Sequence, residues 1–344
     1  MPTAFAKRRI GRTSLEITEL GFGAAALGNL YQPVSGDVAA QTLSCALDLG
    51  LHYVDTAPYY GFGLSERRVG DGVRDRTDIV VSTKVGRRLT PDPQVADDRE
   101  RFGFRSPMPF APVYDYSYDG ILRSYEDSLQ RLGLARVDIL YVHDIGRLTH
   151  GDAEEVHFDA LTRGGGLRCL AELRASSRIS AFGIGVNEIE ACLRVMDCAQ
   201  LDVILLAGRY TLLEQGALTE LFPRCAATQT SVVIGGPYNS GILATGTKGR
   251  QRLRYDYGDP PENVIHRVAA IERLCEEHGV PLAAAALQFP LAHPQIASVI
   301  PGLDSAERVS ETAELYQVVI PDEFWSRLLE QGLIDPAAPV PPPR

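Results

Sequence analysis

The chain has 344 residues, 45% of them hydrophobic and 23% charged, with a formal net charge of −10. This is the composition of a globular protein with a large core, and it excludes a mainly disordered or collagen-like chain. No apolar run reaches the ~18 residues that a membrane-crossing helix needs. The acidic balance, without a dense basic stripe, argues against nucleic acid as a partner.

The N-terminal stretch MPTAFAKRRIGRTSLEIT lacks the apolar heart of a signal peptide, which places the expected location in the cytoplasm. Around IGRTSLEIT it reads as a small hairpin. From Glu19 onward, short β-branched runs alternate with segments of helical periodicity. The expected strands are Glu19–Gly23, His52–Asp55, Asp78–Lys84, Val137–His143, Ala181–Val186, Asp202–Ala207, Ser231–Gly235 and Ala297–Pro301. Their near-continuous apolar character suits strands covered on both faces, as in parallel sheets. The expected helices are Asp37–Gly50, Tyr118–Leu132, Leu167–Ser177, Ile189–Ala199, Gln215–Ala226, Pro261–His278 and Ser305–Leu315. Eight such alternations without a break in composition predict one α/β domain over 1–344, a (β/α)₈ TIM barrel with an N-terminal hairpin and long βα loops. The longest insertions are Gly86–Ser117, Gly236–Asp259 and the stretch after Ile320, whose end, 336–344, reads as a loose tail. The six cysteines, at 45, 169, 192, 198, 225 and 275, form no CxxC pair. They read as reduced thiols, with no metal site.

In such a barrel, chemistry sits at the C-terminal ends of the strands. Those ends carry Asp55, followed by TAPYYG; Lys84; and His143, followed by Asp144. An acid, a lysine and a histidine thus share the mouth with Tyr59 and Tyr60. Singly each reads as a solvated charge or a core residue; together on consecutive strands they suit proton transfer by a tyrosine. A cation about 4 Å from a phenol is worth roughly 4 kcal/mol at an effective dielectric of ~20. That would lower a phenol pKa of ~10 by up to about three units. Lys84 supplies the field, Asp55 holds it, His143 orients the substrate oxygen, and the tyrosine is the general acid or base.

On these residues the chain resembles the aldo-keto reductase superfamily: Asp55 and Tyr60 in DTAPYYG, Lys84 in STKVG and His143 in LYVHD, with GFGAAALG at 21–28, SYEDSLQRLGLARVD and IPG at 300–302. The resemblance implies a barrel, NAD(P) as cofactor and hydride transfer at the mouth, with Asp55, Tyr60, Lys84 and His143 catalytic. Tyr60, directly before Gly61, is the family's tyrosine and Tyr59 its neighbour. The run Gly21–Phe–Gly23 also fits a relaxed dinucleotide fingerprint, but no helix opens inside it, so Gly23 reads as a close approach of backbone to ligand.

The remaining expected cofactor contacts are Asn187, Tyr238, Ser240, Gly241, Pro301, Gly302, Asp304 and Arg308. Asp304 would repel a 2′-phosphate and so favours NAD over NADP, while Arg308 pulls toward NADP. The sequence departs from the family at three places. Asn187 stands one residue late after strand five, Gly235 replaces an aromatic after strand seven with Tyr238 out of register, and Ala207 replaces a glutamine. GGPYNSGIL, GIGVNE and the long loop FRSPMPFAPVYDYSYDG are similar to the branch of L-fucose, D-threo-aldose and pyridoxal dehydrogenases. That likeness implies oxidation of the C1 hemiacetal of an aldose to a lactone. The alternatives are oxidation of pyridoxal through its own hemiacetal, a general NADPH-dependent aldehyde reductase, and a non-enzymatic nucleotide-binding regulator. The long loops and Tyr59, Phe62, Tyr114 and Asp144 are candidates for the substrate wall. A small-molecule partner is expected, with neither nucleic acid nor membrane; the oligomeric state is left open.

Overall fold

The structure is a computed structural model that describes residues 5–95, 99–249 and 252–342. Twelve strands are described: β1 (Lys7–Arg9), β2 (Glu16–Thr18), β3 (Phe22–Gly23), β4 (Tyr53–Asp55), β5 (Val80–Val85), β6 (Arg87–Pro91), β7 (Phe110–Tyr114), β8 (Ile139–His143), β9 (Ala181–Val186), β10 (Val203–Ala207), β11 (Ser231–Gly235) and β12 (Ile296–Ile300). Eight of them form one parallel sheet in the order β12-β11-β10-β9-β8-β5-β4-β3. The two edges meet: parallel bridges join Leu20 to Val299 and Gly23 to Gly302, with Gly23 N–H donating to the Pro301 carbonyl at 3.0 Å. This is the expected barrel, and β1–β2 is the expected hairpin.

Period-two alternation divides the strand residues between two cores. Val54, Leu140, Val142, Ile184, Ile204 and Ile234 face the helices. Tyr53, Ile139, Tyr141, Ala181, Val203, Leu205 and Val233 fill the barrel interior, and Ile10 and Ile17 from the hairpin segment join that inner cluster. The same alternation turns Asp55, two residues beyond Tyr53, and His143, two beyond Tyr141, toward the barrel axis. Gly183 is required where β9 presses on β10, because a Cβ there would fall on the Val203 carbonyl.

The expected helices appear at Gly36–Asp48, Tyr118–Leu132, Gly166–Ala175, Ile189–Cys198, Leu221–Thr228, Glu262–His278 and Ala306–Gln317. The helix expected from Gln215 starts only at Leu221, with Pro223 in its first turn, where its missing N–H costs nothing. Among the described residues, four others longer than a single turn were not anticipated: Leu64–Val73, Glu154–Thr162, Leu282–Gln288 and Asp322–Glu330. The first contains two glycines and the third is mostly alanine, so neither shows a clear apolar stripe. The Gly86–Ser117 segment, expected as loop, carries the antiparallel ribbon β6–β7. The tail is packed rather than loose as far as Ala338, which is 5% exposed and donates its N–H to the Asp335 carbonyl at 2.9 Å. Burial of Ile334 and Ala338 holds it down; residues 343 and 344 lie outside the described residues.

Candidate active site

Lys84 crosses the barrel mouth and its Nζ donates to Asp55 Oδ2 at 2.5 Å and to the Thr56 carbonyl at 2.9 Å. On the β9 side the backbone leaves room for it: a Cβ on Gly185 would stand 3.5 Å from Lys84 Cε. The Lys84 ammonium lies 4.6 Å from the centre of the Tyr60 ring. The Tyr60 and His143 rings stand edge to face, 6.0 Å apart. Backbone packing sets Tyr60 in place. Gly61 adopts φ +65° and a Cβ there would meet the Gly28 carbonyl, while a Cβ on Gly28 would lie 2.6 Å from the Tyr60 carbonyl carbon. The two loops interlock only because both residues are glycine.

Tyr59 is equally close to His143, with ring centres 6.1 Å apart, but its cation is a different one: the Arg87 guanidinium lies 4.2 Å over its ring. The adjacent tyrosines are therefore distinguished by their partners, Tyr60 by the Lys84–Asp55 pair and Tyr59 by Arg87. Burial raises the Tyr60 phenol, Lys84 opposes this, and Asp55 adds to it, so the net direction is upward. The sequence led us to expect a lowered phenol; desolvation at the mouth outweighs the lysine. Burial would pull Lys84 down, but Asp55 and Tyr60 hold it above its ordinary value, so it stays charged. Burial, with Arg87 and Lys84, keeps the His143 imidazole well below its usual range and therefore neutral. Its Nδ1 is buried without a partner among the described residues, and its Nε2 is 3.5 Å from Asp144 Oδ2. A neutral ring with its proton on Nε2 is a donor suited to a substrate oxygen.

A cavity of about 690 Å³ opens over these residues. Its wall includes Tyr60, Lys84, His143, Asn187 and Ala207, and five further rings, Tyr31, Tyr59, Phe102, Phe104 and Tyr257. Arg87 and Asp144 also line it, paired through Arg87 Nη2 and Asp144 Oδ2. Asp144 holds a left-handed backbone, φ +45°. Of the expected substrate wall, Tyr59 and Asp144 line the cavity, whereas Phe62 is fully buried beside Tyr59 and Tyr114 stacks outside it against Tyr116.

Among the expected cofactor contacts, Asn187 lines the cavity and its side chain faces the Tyr257 hydroxyl. Tyr238 packs elsewhere, with its hydroxyl buried and without a hydrogen-bond partner among the described residues, and Glu311 as its nearby charge. Ser240 accepts the Tyr257 N–H at 2.9 Å. Asp304 accepts from the Gln32 side-chain amide and pairs with Arg308 at 3.3 Å. Gly241 and Gly302 face open space, with nothing within 4 Å of a Cβ position, and Gly23 touches the Pro301 backbone. Ser305 caps the helix Ala306–Gln317. Bare backbone at the ends of β11 and β12, beside a helix N-terminus and Arg308, fits the anionic groups of a dinucleotide. Gly23 is followed by a short turn, and the first helix opens at Gly36, so the relaxed glycine fingerprint is not a strand-to-helix phosphate loop.

The long loops were expected in the wall, but neither Arg87 nor Tyr257 was singled out within them. Arg87 stands three residues after Lys84, inside the Gly86–Ser117 insertion. Tyr257 lies far from any strand end, in a tight turn where Asp256 and Tyr257 have φ +48° and +64°. Mutual backbone hydrogen bonds between Tyr255 and Gly258, at 3.0 and 2.9 Å, close that turn. The bidentate Arg209–Asp256 pair, at 3.0 Å, ties it to the barrel, since Arg209 Nε also donates to the Asn187 carbonyl at 2.7 Å. No local sequence signal marks a residue positioned by such distant partners.

Comparison with known proteins agrees with this geometry. A profile described as "Aldo/keto reductase family" matches residues 19–331. Pyridoxal 4-dehydrogenase of Microbacterium luteolum is 45% identical over 336 residues, covering 95% of this chain and 98% of the relative. D-threo-aldose 1-dehydrogenase of a Pseudomonas species is 39% identical, covering 93% and 95%. The fold is similar to the holo form of aldo-keto reductase AKR11C1 from Bacillus halodurans, with a TM-score of 0.71 and 24% identity over 96% of this chain and 97% of that one.

Proposed function

The chain belongs to the aldo/keto reductase family, and from that premise we propose that it oxidises the cyclic hemiacetal of pyridoxal to the corresponding lactone, with NAD(P)⁺ as co-substrate. The observation that carries this reading is the cavity wall. Five aromatic rings besides Tyr60 surround the mouth, and Arg87 is a buried cation among them, apart from Lys84 of the tetrad. A planar pyridine ring stacks on such a wall. Its acidic ring hydroxyl, on the ring carbon two bonds from the hemiacetal carbon, is the kind of oxyanion a guanidinium recognises. The 45% relative named for pyridoxal supports the same order of preference. The second reading, oxidation of an aldose at C1, rests on the 39% relative and on Asp144, which can accept from a sugar hydroxyl beside the reacting carbon.

Either substrate presents a ring carbon bearing a hydroxyl and a hydrogen. His143 donates to the ring oxygen or the hydroxyl and orients it. Tyr60, deprotonated beside Lys84, takes the hydroxyl proton. Asp55 keeps Lys84 charged and aimed at the phenol. NAD(P)⁺, when bound, would supply the hydride acceptor. Asn187, Gly302, Ser305 and Arg308 are the residues we assign to holding it. Asp304 favours the free ribose of NAD over a 2′-phosphate, although Arg308 already balances part of its charge.

The deciding experiment compares pyridoxal with L-fucose, L-galactose and D-arabinose, each with NAD⁺ and NADP⁺, following reduced nicotinamide and identifying the lactone. Pyridoxal with NAD⁺ should give the highest kcat/KM. Tyr60→Phe should lower kcat by about 10²–10⁴. The oxidation rate should rise with pH, because a phenol held above its ordinary pKa must lose its proton first. Exclusive reduction of aldehydes with NADPH would overturn the proposal.

A further inference from the structure

Beneath the tetrad, three hydroxyls stand in single file and end on Asp55. Ser82 Oγ lies 2.7 Å from Asp55 Oδ1, the Tyr53 hydroxyl 3.1 Å from Ser82 Oγ, and the Tyr141 hydroxyl 3.0 Å from that of Tyr53. They come from the adjacent strands β4, β5 and β8, and all are buried. Ile10 and Ile17 belong to the same inner cluster as the two tyrosines. None of the three hydroxyl-bearing residues lines the cavity.

Counting protons fixes the direction of this file. An ionised carboxylate only accepts, and each hydroxyl has one proton to give. Ser82 must therefore donate to Asp55, Tyr53 to Ser82 and Tyr141 to Tyr53. Every hydrogen end then points toward the tetrad. A protonated Asp55 could donate to Ser82 instead, but the file would reverse, and the Tyr141 proton would have no other hydrogen-bond partner among the described residues. The charge on Asp55 and the polarity of the file are thus coupled, and bonds in series strengthen one another in a low-dielectric interior. A barrel that needed only bulk at these positions would be served by phenylalanine, without the cost of burying two hydroxyls.

We propose that Ser82, Tyr53 and Tyr141 are positioning residues: a fixed line of dipoles that favours negative charge in the tetrad and so sets the pH at which Tyr60 works. Positive hydrogen ends pointing upward stabilise both the Asp55 carboxylate and the Tyr60 phenolate, so removing them makes either group harder to ionise. The inference rests on the assignment of Tyr60 as the acid–base group. The other ionisable groups facing Asp55 and Tyr60 are Lys84 from β5, His143 and Asp144 at the end of β8, Arg87 through Asp144, and Tyr257 from the loop after β11. None of them hydrogen-bonds to Tyr53 or Tyr141. Replacing either tyrosine by phenylalanine therefore leaves their contacts in place.

The test is the pH profile of kcat/KM for oxidation by the full chain, in the wild type, Tyr53→Phe, Tyr141→Phe and the double variant. The rising limb should move to higher pH by about one unit in Tyr53→Phe and by less in Tyr141→Phe. The double variant should move no further than Tyr53→Phe, because Tyr141 acts only through Tyr53. An apparent pKa does not depend on how much enzyme is folded, and the substrate's own ionisations are common to all variants. Unmoved limbs alongside lowered melting temperatures would show that the hydroxyls only pack, and would overturn the proposal. A limb that persists in Tyr60→Phe would overturn the assignment of Tyr60, and the file's role with it.

Discussion

Two cation–carboxylate pairs meet at the same cavity: Lys84–Asp55, buried throughout, and Arg87–Asp144, whose carboxylate is partly exposed. The first is built from neighbouring strands of the barrel, in a register that pairs Asp55 with Ser82 and leaves Lys84 one inward position higher. The second joins the first residue of a ribbon to a strand-end residue in left-handed backbone. One is a product of sheet geometry, which side-chain changes elsewhere hardly disturb. The other depends on a long insertion outside the barrel. On the proposed function, the contrast assigns the reaction and the choice of substrate to separate parts of the molecule.

Breaking the inner pair should have the largest effect. Lys84→Met should lower kcat by about 10²–10⁴. It should also destabilise the fold by about 3–5 kcal/mol, because the Asp55 carboxyl is left in the interior without its counter-ion. Adding Asp55→Leu should restore much of the stability seen in a thermal melt and none of the activity. Breaking the outer pair should change preference more than rate. Arg87→Met should reduce kcat/KM for pyridoxal about 10–100-fold relative to an aldose, as expected for one charge-assisted hydrogen bond. An equal loss on both substrates would mean that Arg87 only braces Asp144 and His143. The smallest effect belongs to the rim. Tyr257→Ala removes one ring from the wall and should raise KM for pyridoxal about 2–10-fold with kcat little changed.

The same division governs what the sequence reveals. All eight barrel strands, and the mouth positions of Asp55, Lys84 and His143, follow from apolar runs and from reading only their C-terminal ends. A strand's period of two and the rule that sites lie at one end are local properties. The choice of Tyr60 over Tyr59 came from family resemblance, and the separate cations now give it a physical basis. The direction of the phenol's shift was misjudged because a sequence shows that a lysine is near but not how much water is missing. Arg87 and Tyr257 were missed for a related reason. Their places are set by Asp144, Arg209 and Ser240, between 17 and 57 residues away, and no short pattern encodes those meetings. The helix Leu64–Val73 was hidden differently. Gly70 lies where a Cβ would strike the Leu132 backbone, so close helix packing demanded the residue that makes a helix look improbable.

The hairpin segment that adds Ile10 and Ile17 to the inner cluster has a kinetic corollary. With apolar side chains and the file of hydroxyls filling the barrel below Lys84, the reacting groups are reached from one side only. Two ligands sharing a single doorway must queue: whichever seats deeper arrives first and departs last. Turnover should accordingly follow a compulsory sequence, visible in product-inhibition patterns that are competitive for one ligand pair and not for the other.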